Sequence, residues 1–161
     1  MKKSLIPILA ILGCGCGSVK SDYSYQKGKE AFWNGSYDEA IVNLNQAVEF
    51  DPTCSRNHQQ LAMTYEKIGD IAQAWEHART AYSLDRHSQK ARDLFVRIYS
   101  ELSKQNRFEA RKPTAKSLID MLGIADTYLH DDKGNLKALY YGPLCLHITE
   151  GKLKSYEWLK Q

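Results

Sequence analysis

Any chemistry in this 161-residue chain must come from a small stock of reactive side chains, including five histidines, at 58, 77, 87, 130 and 147, and four cysteines, at 14, 16, 54 and 145. The histidines form no metalloprotease pair, and no His/Cys spacing closes a zinc tetrahedron. Gly13, Gly15 and Gly17 lie in an apolar leader rather than after a strand, so they are not a phosphate loop. Nucleophile-elbow and paired-carboxylate patterns are absent as well. Leu144 to Thr149 alternates, with Leu144, Leu146 and Ile148 on one face and Cys145, His147 and Thr149 on the other. The first face reads as core, and His147, beside Cys145 and Tyr141, reads as an exposed strand residue. The expectation is a protein that is not an enzyme, with no catalytic residues, no metal site, no cofactor and no small-molecule substrate. Whether Cys54 and Cys145 meet in a disulfide is left open, because their separation in space is not readable from sequence.

One cysteine does stand in a chemical context. Lys2 and Lys3 precede an apolar stretch, Leu5 to Leu12, interrupted only by Pro7, and Gly13-Cys14-Gly15-Cys16-Gly17 follows. This is the pattern of a secretory signal. It falls well short of the roughly 20 apolar residues that cross a bilayer. Ile11-Leu12-Gly13-Cys14 resembles the lipobox of bacterial lipoproteins, although Leu12 is bulkier than the usual residue there. The resemblance implies a diacylglyceryl thioether on Cys14, cleavage after Gly13 and an acylated, palmitate-type amino terminus. It also implies attachment to a membrane of the bacterial cell envelope. Cys16 is the poorer acceptor, since Gly13 would then occupy the aliphatic position. Gly15 rather than Asp after Cys14 points, in enteric-type bacteria, to the outer membrane, with the folded part facing the periplasm.

Composition narrows the rest. Hydrophobic residues at 43% and charged residues at 25% give the balance of a globular protein rather than a disordered or membrane-embedded one. Without Lys2 and Lys3 the chain has 20 basic and 19 acidic side chains, a balance that does not call for a nucleic-acid partner. The run Lys104, Arg107, Arg111, Lys112 and Lys116 reads as a solvated segment.

The elements that would position a binding surface repeat at a fixed interval. Laying 21–54 over 55–88 pairs Gly28 with Ala62, Ala31 with Tyr65, Gly35 with Gly69, Tyr37 with Ile71, Ala40 with Ala74, Ala47 with Ala81 and Asp51 with Asp85. Glycines at 35 and 69 permit a tight turn between helices, and small residues at 40 and 74 allow close helix packing. Ser36 and Asp70 are placed to cap the second helix of each pair. The interval, Asn34-Gly35-Ser36-Tyr37-Asp38-Glu39-Ala40-Ile41 with Asp51-Pro52, and Ile68-Gly69-Asp70-Ile71-Ala72-Gln73-Ala74-Trp75 together resemble the tetratricopeptide repeat (TPR) family. Arg86 stands where the second copy would have Pro, and Ser24 and His58 stand where tryptophan is common. A further stretch, Lys90 to Lys104, carries Leu94, Phe95, Ile98, Tyr99 and Leu102 at helical spacing. Five helices are predicted, over 22–34, 37–50, 55–68, 71–84 and 88–104. Two and a half repeats are marginal, so something after residue 105 is expected to cover the open end.

After Asn106 the pattern changes. Arg107 to Pro113 reads as polar and helix-breaking, and 114–122 as a short helix capped by Thr114 and ended by Gly123. Strands follow at 128–130, 136–141, 144–149 and 153–158, separated by turn chemistry. Ser117-Leu118-Ile119-Asp120-Met121-Leu122-Gly123, Leu139-Tyr140-Tyr141-Gly142 and Gly151-Lys152-Leu153 resemble the SmpA/BamE-type module of envelope lipoproteins, although Ile124-Ala125 replaces that family's Gly-Pro. The expected fold class is α+β: TPR helical hairpins followed by a small helix and an antiparallel three- to four-stranded meander. The expected division is a signal peptide at 1–13, a lipidated linker at 14–20, a helical domain at 21–105 and an α/β module at 106–161.

The TPR resemblance also implies a concave groove lined by the first helices. The corresponding positions are Tyr25, Lys29, Phe32 and Trp33, then Arg56, Gln59, Met63 and Lys67, then Lys90, Asp93 and Arg97. Aromatic anchors mixed with basic donors suit a peptide segment carrying acidic residues. The carboxylate-clamp subtype is not expected, because Lys29 stands where it needs Asn and Leu94 where it needs Arg. The expected function is a membrane-anchored protein–protein interaction scaffold that binds another envelope protein. The alternative is a structural tether without a defined peptide ligand.

Overall fold

The computed structural model describes residues 18–159, so the leader, the lipobox and the lipid assigned to Cys14 lie outside the described residues. Among those described, the chain opens with five helices: α1 (Val19–Trp33), α2 (Tyr37–Phe50), α3 (Ser55–Ile68), α4 (Ile71–Leu84) and α5 (Gln89–Gln105). Two short helices follow, α6 (Phe108–Arg111) and α7 (Ala115–Leu122). The chain then forms β1 (Thr127–His130), β2 (Leu136–Tyr141), β3 (Leu144–Thr149) and β4 (Lys152–Trp158), an antiparallel sheet with the strands side by side in chain order.

The hairpins α1–α2 and α3–α4 are built alike. Gly35 and Gly69 take the left-handed backbone, at φ +77° and +83°, that a side chain would disfavour. Ala40, Ala47, Ala74 and Ala81 are fully buried where the helices meet. Gly28 marks the closest approach in the first hairpin, since a Cβ there would lie 2.5 Å from Leu44 Cγ. Each hairpin is also latched at its base: Ser21 Oγ donates to the Ala47 carbonyl and Ser55 Oγ to the Ala81 carbonyl, both at 2.8 Å. Of the two expected caps only Asp70 acts, accepting from the Gln73 amide at 3.1 Å. Ser36 takes the N-cap position but makes no side-chain capping bond.

The segment Arg107 to Pro113 is not simply polar chain. It holds α6, whose Phe108 is 1% exposed and packs with Tyr99. Arg107 and Lys112, both left-handed, bracket that turn. The basic run keeps its exposed character at Lys104, Arg107, Arg111, Lys112 and Lys116.

The expected cover for the open helical end is the C-terminal module itself. A single apolar cluster runs from α4 and α5 (Trp75, Ala78, Phe95, Tyr99) into α7 (Leu118, Leu122) and the sheet (Leu139, Tyr141, Leu146). Trp75 is fully buried and donates from Nε1 to the Leu122 carbonyl at 2.9 Å, so its one polar atom is satisfied inside the core. Arg79 reaches the carbonyls of Leu122 and Ile124 and pairs with Asp126 at 3.3 Å. The Tyr141 hydroxyl closes the same corner by donating to the Gly123 carbonyl at 2.8 Å. A second apolar cluster, with Phe32, Leu44 and Leu61, fills the first hairpin and its junction with α3. Cys145 is a buried free thiol, so the bridge to Cys54 that the sequence left open is not formed.

Candidate functional site: a cleft across the first helices

The helices α1, α3 and α5 are the repeat-equivalent first helices, and they converge on a cleft of about 540 Å³ lined by Phe32, Trp33, Met63, Glu66, Lys67 and Arg97. Trp33 is its free apolar surface, 72% exposed, standing edge-on to Phe32 at 5.4 Å. Lys67 is exposed at the end of α3, and Met63 is half-buried in the floor. Arg97 projects from α5 but is not an idle donor. Its Nε and one terminal nitrogen meet the two oxygens of Glu66, each at 2.8 Å. That bidentate hydrogen bonding raises the already high pKa of the guanidinium, so it stays cationic.

The eleven expected groove positions therefore divide. Phe32, Trp33, Met63, Lys67 and Arg97 come together, and Lys29 is exposed on α1. Two of them, Tyr25 and Phe32, are buried rather than available surface. Phe32 is 6% exposed because its ring packs into the first hairpin against Tyr37, at 5.7 Å. Tyr25 is 8% exposed beneath Arg56, whose guanidinium carbon lies 4.1 Å from the ring centre. Burial raises the pKa of that phenol, with Arg56 opposing. Arg56 is in turn paired with Asp22, and Gln59 donates to Ser55 Oγ at 3.0 Å. Tyr25 and Arg56 thus tie α1 to α3, Gln59 bonds within α3, and none of the three lines the cleft. Lys90 and Asp93 are exposed on α5, Asp93 accepting from Gln89 at 2.7 Å, and neither lines the cleft. Glu66 also lines the cleft and is not among the expected positions, although it lies one helical turn beyond Met63, the repeat equivalent of Arg97.

Two other clusters fall outside the groove. On the α3–α4 contact His58 and His77 face each other Nδ1 to Nδ1 at 3.1 Å, while His58 Nε2 lies 3.1 Å from the Pro52 carbonyl. That carbonyl can only accept, so His58 carries its proton on Nε2 and its Nδ1 accepts from His77 Nδ1–H. Both rings are thereby neutral. Burial lowers the pKa of His58 and pulls that of His77 down to about 4, with the His58 charge adding to the latter shift. Tyr65 stacks on His77, with ring centres 5.5 Å apart.

On the outer face of the sheet, Cys145 Sγ lies 3.8 Å from His147 Nε2, and Glu157 Oε1 lies 3.0 Å from the same nitrogen. His147 is thus partly exposed, as expected, and in addition has two polar neighbours. Antiparallel pairing sets Tyr140, Cys145 and Glu157 abreast across three strands, and His147 follows Cys145 on the same face. A nucleophile–base relay needs its two partners on opposite ring nitrogens. Here both meet Nε2, and burial holds the Cys145 thiol above its usual range, with Tyr140 opposing. The arrangement is not that of an activated nucleophile.

Comparison with known proteins agrees with the helical architecture. Residues 21–54 and 55–88 each match the model of the tetratricopeptide repeat. No curated protein matches the chain. Among solved structures, the fold is similar to the first TPR of Spaghetti (RPAP3) bound to the HSP90 peptide SRMEEVD, at 23% identity and a TM-score of 0.53, over 68% of this chain and 84% of that one.

Proposed function

We propose that this chain, whose residues 21–88 are two tetratricopeptide repeats, is a protein–protein interaction scaffold that holds a short peptide segment of a partner in the α1–α3–α5 cleft. One observation carries the proposal: an exposed tryptophan stands in a concave cleft beside Lys67 and the Glu66-paired Arg97. An aromatic platform with cations at its rim selects a segment carrying an apolar anchor next to acidic side chains. The bound peptide of the structurally similar TPR, SRMEEVD, is of that acidic kind and supports the choice. Lys29 and the buried Leu94 do not supply a carboxylate clamp, so recognition rests on side chains of the segment rather than on its terminus.

The same proposal places the scaffold on the bacterial envelope, tethered through lipid on Cys14 and, for enteric-type sorting, on the periplasmic side of the outer membrane. Its support is the leader Ile11-Leu12-Gly13-Cys14 together with the SmpA/BamE-like rhythm of the C-terminal module. The scaffold then serves assembly or maintenance of an envelope complex.

Site-specific photo-crosslinking of the full chain in cells, with the probe at Lys67, tests the cleft. A discrete partner adduct that disappears with Trp33→Ala is expected. An adduct that persists with Trp33→Ala would sink the cleft, and no adduct would favour the bare tether. Metabolic labelling with a palmitate analogue tests the anchor, and label retained in Cys14→Ser would exclude Cys14 as the acceptor.

A further inference from the structure

We propose that Cys145, His147 and Glu157 form a binding site for a borderline divalent cation, Zn²⁺ being the best match, on the outer face of the sheet. The three side chains offer one sulfur, one imidazole nitrogen and one carboxylate oxygen, all within 4.8 Å of one another. This mixed donor set is typical of zinc, which takes three protein ligands and leaves a fourth position to water when the site is open. A tetrahedral zinc with ordinary bond lengths separates sulfur from nitrogen by roughly 3.6 Å and nitrogen from oxygen by roughly 3.4 Å. The corresponding distances here are 3.8 and 3.0 Å, so those two edges need shifts of only a few tenths of an ångström.

Convergence is the decisive feature. Sulfur and carboxylate both address His147 Nε2, which satisfies at most one of them as a donor in the neutral ring. A cation at the shared focus satisfies all three, with Nε2 offering its lone pair. Tyr140 supports the sulfur from the neighbouring strand, standing directly opposite Cys145 and hydrogen-bonding it. A partner that hydrogen-bonds a ligand atom is the usual outer layer of a metal site. The site is stepped from sealed to open, with Cys145 1% exposed and the side chains of His147 and Glu157 at 41% and 57%. Sulfur is shielded while the fourth position faces water. Binding forms a metal–sulfur bond and releases the thiol proton to solvent, so no oxidant or reductant is required.

Cobalt(II) serves as the probe, because a thiolate ligand gives it a near-ultraviolet charge-transfer band and tetrahedral geometry gives it intense visible bands. Reduced full-length protein titrated with Co²⁺ is expected to show both, and Zn²⁺ to abolish them at one equivalent. His147→Gln is expected to weaken binding at least a hundredfold and Glu157→Gln about tenfold. Both side chains reach solvent, and unchanged circular dichroism would certify the fold. Zn²⁺ should also raise the unfolding temperature of wild type but not of His147→Gln. Absence of the charge-transfer band in wild type would overturn the proposal. So would a band undiminished in Cys145→Ala, which would come from other thiols, or affinity unchanged in His147→Gln.

Discussion

At the scale of single residues, the Glu66–Arg97 pair sets what the cleft can offer. A ligand carboxylate approaching Arg97 must compete with Glu66, which already holds one edge of the guanidinium with both its oxygens. Replacing Glu66 with Gln removes the competing charge while keeping the shape. The crosslinked partner's peptide is expected to bind several-fold more tightly to Glu66→Gln and more weakly to Arg97→Gln, as read by fluorescence anisotropy. Equal affinity in all three proteins would mean that Arg97 serves packing alone. The histidine pair predicts a pH response. The folded-state pKa of His77, about 4, lies below its ordinary value of 6.5, so protons favour the unfolded chain. The stabilising effect of this site is complete above pH 6.5 and is lost as pH falls toward 4. Thermal midpoints should drop through that window and drop less in His77→Gln. A parallel profile in the variant would assign the effect to carboxylates.

Local sequence was informative where a residue's role depends on its own hairpin, and less so where it depends on rotation or register. Gly35 and Gly69 announced their turns because no other residue takes that backbone cheaply. Phe32 and Trp33 were indistinguishable as a pair: which one faces out follows from the rotation of α1 against α2, where Gly28 lets Leu44 in. The outer-face cluster was hidden more deeply. Cys145 and His147 were visible two residues apart, but Glu157 joins them only through strand pairing, and the pairing of β3 with β4 shifts register between His147 and Ile148. A slip of one residue would turn Glu157 to the opposite face.

Among elements, the two hairpins share a plan but differ in how they are fastened, which gives a paired experiment. Asp70 makes a capping bond and Ser36 does not. Asp70→Ala is therefore expected to destabilise by about 1 kcal/mol and Ser36→Ala by only a few tenths. Urea denaturation reads both, and equal losses would contradict the capping assignment. Close packing gives a sharper case. In Gly28→Ala the new methyl meets Leu44 Cγ at 2.5 Å and the Ala40 carbonyl at 3.2 Å. Overpacking of that kind costs about 1–3 kcal/mol. Stability equal to wild type would show that α1 and α2 can separate without loss. The serine latches Ser21 and Ser55 recur at the repeat interval, yet sequence alone marks them only as polar residues at helix starts. Their acceptors lie at the far end of the next helix, and only closure of the hairpin brings them near.

For the whole molecule, helices and sheet depend on one another. Trp75 sits at the junction, touching Phe95 and Tyr99 of α5 and Tyr141 of β2 while donating to Leu122. Trp75→Ala is expected to destabilise by about 3–5 kcal/mol. Helical circular dichroism and the near-ultraviolet signal of the sheet aromatics should be lost in a single transition at a lower midpoint. Two separate transitions would show that the halves fold independently. The same junction accounts for how an incomplete repeat array ends. Where the second helix of a third repeat would stack, α7 and the meander supply the apolar cover instead.

That cover also acts as a ruler. With α4 and α5 roofed over by the sheet, no further repeat can stack at that end, and the cleft is limited to the span of three first helices. Packed helices lie about 8–10 Å apart, so α1 to α5 covers roughly 20 Å. An extended chain advances about 3.3 Å per residue, which makes the reading frame of the cleft roughly six residues. Trimming a bound peptide to that length should leave its affinity nearly intact, while cutting one residue further should weaken it steeply.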